Sequence, residues 1–126
     1  MKSLLESRQH DFTGGAIGGS DGIIWFSTPG FYPNSIEFKI MVKAFDQTSE
    51  LIYTGFLFQN IQYSIIDLTK NMMIAECSGG NSLILLKNSN VFVFGFETKK
   101  ILRDSCHKAC IDIMNVIVNE KLYEQY

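Results

Sequence analysis

The sequence predicts an α+β domain: a central antiparallel sheet of about six or seven strands with helices packed on both faces. Three observations predict it. From Leu51 to Phe96, turn signals recur every ten residues or so between runs rich in Ile, Val, Phe and Tyr, the pattern of a meander. Near the start, a glycine-rich stretch, a turn and an apolar run make a hairpin. At the end, a helical apolar stripe lies ready to cross a sheet.

The elements follow in chain order. Lys2 to about His10 predicts a short helix anchored by Leu4 and Leu5. Gly14 to Gly19 (GGAIGG) predicts the first strand of a hairpin. Ser20-Asp21-Gly22 is its tight turn, because Asp and Gly tolerate the positive φ that two-residue turns need. Ile23 to Ser27 is the returning strand. The prolines, Pro29 and Pro33, mark the break before a second helix. Asn34 can cap that helix, with Glu37 placed as in a capping box. Its apolar face is read as Ile36, Ile40, Met41, Ala44 and Phe45. Asp46 to Ser49 ends it.

Five strands are then expected: Leu51 to Phe58 with a bend or bulge at Gly55, Ile61 to Leu68, Met72 to Cys77, Ser82 to Lys87 and Val91 to Phe96. The last 25 or so residues predict a long helix capped by Asp104 or Ser105. Its stripe is Cys106, Cys110, Ile113, Met114 and Ile117, widened by Ile111 and Val118.

Composition bounds the functional class. With 126 residues, 46% hydrophobic and 19% charged, the chain reads as one domain, 1–126, with a core of its own. The net charge of −2 provides no global basic field for nucleic acid. Three cysteines, Cys77, Cys106 and Cys110, read as reduced thiols of a cytoplasmic protein. The start, MKSLLESRQHDF, has no apolar core of a secretory leader. The longest apolar runs are about six residues, too short to span a bilayer.

Residues with possible chemistry divide into weak and stronger candidates. The glycine cluster lacks the Gly-Lys-Ser/Thr ending and the following helix that a phosphate cradle needs, so it reads as a close-packed strand. Cys106, His107 and Cys110 are metal-ligand types, yet His107 points about 100° away from the cysteines on a helix. The cysteines also sit on the apolar stripe, where a thiol behaves as a small hydrophobe. No third group orients a cysteine nucleophile, and no carboxylate pair stands out, so no catalytic residue, metal or cofactor is assigned. A basic cluster of Lys99, Lys100, Arg103 and Lys108, with Lys87 on a neighbouring strand, has no local task at a helix start, where the dipole favours acids. It points to an acidic partner or an anionic lipid. Trp25, Tyr123 and Tyr126 are aromatics able to pack on a polyproline helix.

Taken together, these segments resemble profilins over nearly the whole chain. The carriers are Gly-Ala-Ile followed by Ile24-Trp25-Phe26, and the helix start Pro33-Asn34-Ser35-Ile36-Glu37 with its end at Phe45-Asp46. To these are added Gly55 to Tyr63, the strand–turn–strand Ser82 to Val93 with Lys87, and the final Gln125-Tyr126. The short first helix resembles the profilins of Asgard archaea. The resemblance implies a monomeric cytoplasmic, cytoskeletal protein that binds monomeric actin at its barbed-end face and regulates filament assembly. Carried over by position, the contacts would be Phe45, Gln62, Lys87, Asp104, His107, Lys108 and Ile111. It also implies proline-rich and phosphoinositide partners. Lys2 to His10 contains no Trp or Tyr, which leaves Trp25, Tyr123 and Tyr126 to form a reduced proline groove. The element order also resembles roadblock/LC7 or longin-like modules, which dimerise and regulate small GTPases.

Overall fold

The computed structural model describes residues 1–46, 50–99 and 102–122. The elements run α1 (Lys2–Glu6), β1 (Gly14–Gly19), β2 (Ile24–Ser27), α2 (Ser35–Val42), α3 (Leu51–Thr54), β3 (Phe56–Phe58), β4 (Ile61–Leu68), β5 (Met72–Glu76), β6 (Ser82–Asn88), β7 (Val91–Glu97) and α4 (Arg103–Asn119). Single 3-10 turns at Gln9–Asp11 and Lys43–Phe45 follow α1 and α2. The strands form one seven-stranded sheet in the order β2-β1-β7-β6-β5-β4-β3. Every pairing is antiparallel. β1 closes against β7, so the first strand and the last lie side by side in the sheet.

Strand alternation divides the core in two. On β7, Phe92, Phe94 and Phe96 enter one cluster with Phe31, Phe38, Met41, Phe56, Phe58 and Tyr63, beneath α2 and beside α3. Val91 and Val93 enter the other with Leu5, Ile84, Cys106, Ala109, Cys110, Ile113 and Ile117, beneath α1 and α4. The expectation of helices on both faces therefore holds. The predicted stripe of α4 is buried throughout, and Ala109 joins it. Gly95 sets the distance between helix and sheet. A Cβ there would overlap Cys110 Sγ and would lie 3.1 Å from both Cys106 Sγ and Ile84 Cγ2.

Several local expectations are corrected. Leu51 to Phe58 is not one strand. Leu51–Thr54 is a single helical turn, in which Tyr53 and Thr54 N–H donate to the Glu50 carbonyl at 2.9 and 3.0 Å. Gly55, at φ +68°, ends it and allows the chain to enter β3. On α2 the buried residues are Phe38 and Met41, while Ile36 and Ile40 are exposed. Asn34 caps as expected, accepting from Ile36 N at 2.7 Å and Glu37 N at 3.3 Å. Glu37 closes no box. Its carboxylate instead accepts the Gln59 N–H at 3.0 Å and steadies the β3–β4 hairpin. Gln59 and Asn60 both have positive φ, as a two-residue turn with the twist of its strands requires. The first hairpin turn is longer than two residues, since Gly19 N–H bonds the Ile23 carbonyl at 3.0 Å across Ser20-Asp21-Gly22. At α4, Leu102 occupies the N-cap and no side chain caps the helix, so neither Asp104 nor Ser105 has the expected role.

Candidate docking surface

α4 covers β6 and β7 and reaches β5, where Met72 and Ile74 pack against its cluster; among the described residues, the same face of β3 and β4 has no helix above it. The register fixes which residues face outward there. Tyr63 points into the aromatic cluster, so Gln62 and Ser64 point to the uncovered side. Leu57 pairs with Gln62 and Glu76 with Ser64. Leu57 is 56% exposed. Gln62 Nε2 donates to the Thr54 carbonyl at 2.8 Å, which ties this surface to α3.

At one end of the surface stands Lys87. Its Nζ lies 5.7 Å from the centre of the Phe45 ring, which in turn sits 6.0 Å from the Phe92 ring. Lys87 also shares a cleft with Asn71, Leu86, Ile111, Met114 and Val118. Ile111, 40% exposed, thus lies on the rim of the α4 stripe and not within it.

The other end is built from β5, the start of β6 and the first turns of α4. Arg103 pairs with Glu76, both largely covered. His107 Nε2 lies 3.2 Å from the hydroxyl of the buried Ser82. Burial holds the His107 pKa below its ordinary value, helped by the neighbouring Arg103 charge. The imidazole is therefore neutral at neutral pH, and its tautomer sets which way the Ser82 hydrogen bond runs. Asp104 lies in the first turn, where a carboxylate suits the dipole, and Lys108 is exposed on the same helix.

Lys87 thus stands at the sheet end between Phe45, on the α2 side, and the cleft that holds Ile111, on the α4 side, while Asp104 and His107 lie at the opposite end of β6. Lys87 pairs with Phe92 and Ser82 with Glu97. Five residues of strand, about 16 Å, separate Lys87 from the helix start, so the expected basic cluster is divided. Lys100 lies outside the described residues. Tyr123 and Tyr126 lie outside them as well. Trp25 is half-buried on the α1 and α4 side, against Gly19.

Sequence reasoning missed the apolar rim of this surface. Ile52 is 49% exposed, Tyr53 88% and Ile66 56%. Reading 51–58 as a strand hid the helical turn that exposes Ile52 and Tyr53, and nothing in that run marks it. The glycine strand has the close packing expected of it, with Gly14 against the Phe31 ring and Gly15 against Phe12. Cys106 and Cys110 are fully covered, and the Cys110 thiol pKa is raised by its hydrogen bond with Cys106 and by burial.

Comparison with known proteins agrees with this architecture. The family model described as Profilin matches residues 1–122. Acanthamoeba castellanii profilin IA superposes with a TM-score of 0.83 at 17% identity, covering 95% of this chain and 98% of that one. The Loki profilin 2 of a complex with rabbit actin gives a TM-score of 0.65 at 18% identity, covering 91% and 92%. Mouse profilin IIa, solved with a double repeat from the FH1 domain of mDia1, gives 0.61 at 13% identity, covering 90% and 96%. With the family model spanning all but the last few residues and the sheet order in place, the chain belongs to the profilin family.

Proposed function

We propose that this profilin binds monomeric actin through the open face of β3 and β4 and the adjoining flank of α4, and so regulates filament assembly. The observation that carries the reading is that, among the described residues, the α4-side face of β3 and β4 lies open beside the helix. It carries exposed apolar groups (Leu57 and Ile66, with Ile111 on the helix), exposed Gln62, and Asp104 and Lys108 exposed on α4, with Lys87 at the sheet edge beside Phe45. An apolar centre within a polar rim is the anatomy of a protein interface. The Loki profilin in complex with actin supports the choice of partner. The family match leaves the roadblock or longin reading without support. A cytoplasmic place beside the cytoskeleton follows from the same reading.

The test is a titration against monomeric actin, read as slowed spontaneous assembly. Reversing charge with Lys87→Glu is expected to weaken binding about tenfold and to flatten its salt dependence, with little effect on stability. Unchanged affinity at low salt would move the interface elsewhere.

Proline-rich segments are a second partner class. The mouse profilin complex with FH1 repeats motivates it, and Trp25 is the described aromatic of the groove. A proline decamer that leaves Trp25 fluorescence unchanged would remove that partner. The anionic-lipid reading has less support: Arg103 is engaged by Glu76 and Lys87 stands apart from the helix start.

A further inference from the structure

We infer that Glu76 and Ser82 are positioning residues of the docking surface: from β5 and β6 they fix the first turns of α4, in place of a capping side chain. The inference rests on the reading that these turns meet the partner.

A helix N-terminus has four N–H groups without intrahelical partners, and a side-chain cap normally fixes both their satisfaction and the helix's entry. α4 has Leu102 at that position and no capping hydrogen bond. Two side-chain contacts hold its opening instead. The Arg103 guanidinium engages Glu76, and His107, one turn on, meets the Ser82 hydroxyl at 3.2 Å. Arg103 and His107 are four residues apart and so lie on one face of the helix. Their partners lie on adjacent strands, because Glu76 pairs with Ser82 in the sheet. The four residues thus form a closed square: one side runs along the helix, one across the sheet, and the two side-chain contacts join them. Ser82 is only 2% exposed, so its hydroxyl must find its partner within the fold. Arg103 Nε is buried with no hydrogen-bond partner among the described residues, so the guanidinium depends on Glu76 for compensation.

The square responds to pH. The charged groups around His107 are Arg103 and Asp104 on its own helix and Glu76 on β5. Protonation puts a second positive charge beside Arg103, competing for the carboxylate of Glu76, and leaves both ring nitrogens as donors, so that Ser82 can only accept. Below the ordinary histidine range, the first turns of α4 should therefore loosen. The same logic fixes the sign for stability. A histidine whose folded pKa is lowered contributes stability above pH ~6.5, and loses it as the pH falls from there toward the folded value.

The test has two arms. In the first, the His107 ring is titrated by NMR, and exchange of the amides of residues 103–107 is followed, in wild type, Glu76→Gln and Ser82→Ala. The wild-type midpoint should lie below the ordinary value. Glu76→Gln should move it lower still, since a nearby acid is lost, and should speed exchange at 103–107 about tenfold, while β1 and β7 amides stay protected. An unmoved midpoint with unmoved exchange overturns the inference. In the second arm, affinity for monomeric actin is measured between pH 5.5 and 7.5. It should weaken in acid, and Glu76→Gln should weaken it several-fold at neutral pH, with Glu76→Asp recovering part of the loss. Actin affinity that ignores both pH and Glu76 overturns the positioning role even if the first arm succeeds. If no actin binds at any pH, the proposed function fails, and the first arm alone decides whether Glu76 and Ser82 hold α4.

Discussion

The two faces of the sheet are packed by different chemistry and to different extents. Under α2 and α3, rings fill the space: Phe94 lies 5.4 Å from Phe58, 5.8 Å from Phe31 and 6.3 Å from Phe38, centre to centre. That cluster reaches from β1 to β3. Under α4 the filling is small, with Gly95 facing Cys106 and Cys110, and the helix lies close to the backbone over fewer strands. Large side chains keep helices at a distance and cover a wide area. Small ones bring a helix near and leave the neighbouring strands open. The open strands are the face proposed above for docking, beside the closely seated helix.

This comparison can be broken from either side. The largest effect is expected from Phe94→Ala, which removes a fully buried ring from the centre of the aromatic cluster. It should cost about 3–5 kcal/mol, seen as a lower denaturation midpoint with an unchanged slope. A cost below about 1 kcal/mol would mean the cluster can collapse into the gap and is not the tightly packed side. Next comes Gly95→Ala, whose methyl group would collide with Cys110 Sγ. A loss of about 1–3 kcal/mol is expected, and adding Cys110→Ala should return part of it. Strict additivity in that cycle would show that the two groups do not touch. The smallest is Asn34→Ala, which removes the cap of α2 on the aromatic side alone. It should cost about 1 kcal/mol by the same measurement and leave actin affinity unchanged.

Much of this division was legible in the sequence, and the exceptions have physical causes. The strands from Ile61 onward were readable because Gln59-Asn60, Asn71, Gly79-Gly80 and Ser89-Asn90 punctuate them with residues that turn easily. The α4 stripe was readable because its opposite face is polar. The phase of α2 was not, because the helix is apolar nearly all round: Ile36 and Ile40 fit a helical stripe as well as Phe38 and Met41 do. Only the sheet beneath decides between them. Leu51 to Thr54 has strand-forming residues, and the helical turn there is imposed by tertiary packing over local preference. Glu37 was well placed for a capping box, yet its carboxylate reaches a hairpin 22 residues away, which no local pattern announces. For the site, sequence supplied Lys87, His107 and Ile111 but not their grouping. The division of the basic residues depends on the β6–β7 register, and the role of Glu76 on a pairing between strands.

The close seat of α4 on Gly95 also makes the cysteines a clock. Cys106 and Cys110 have no room for an added oxygen or an alkyl group while the helix is in place, whereas Cys77 is only half-buried. A thiol reagent should therefore modify Cys77 first and reach the other two only during excursions that lift the helix, so their labelling rate would count those excursions directly.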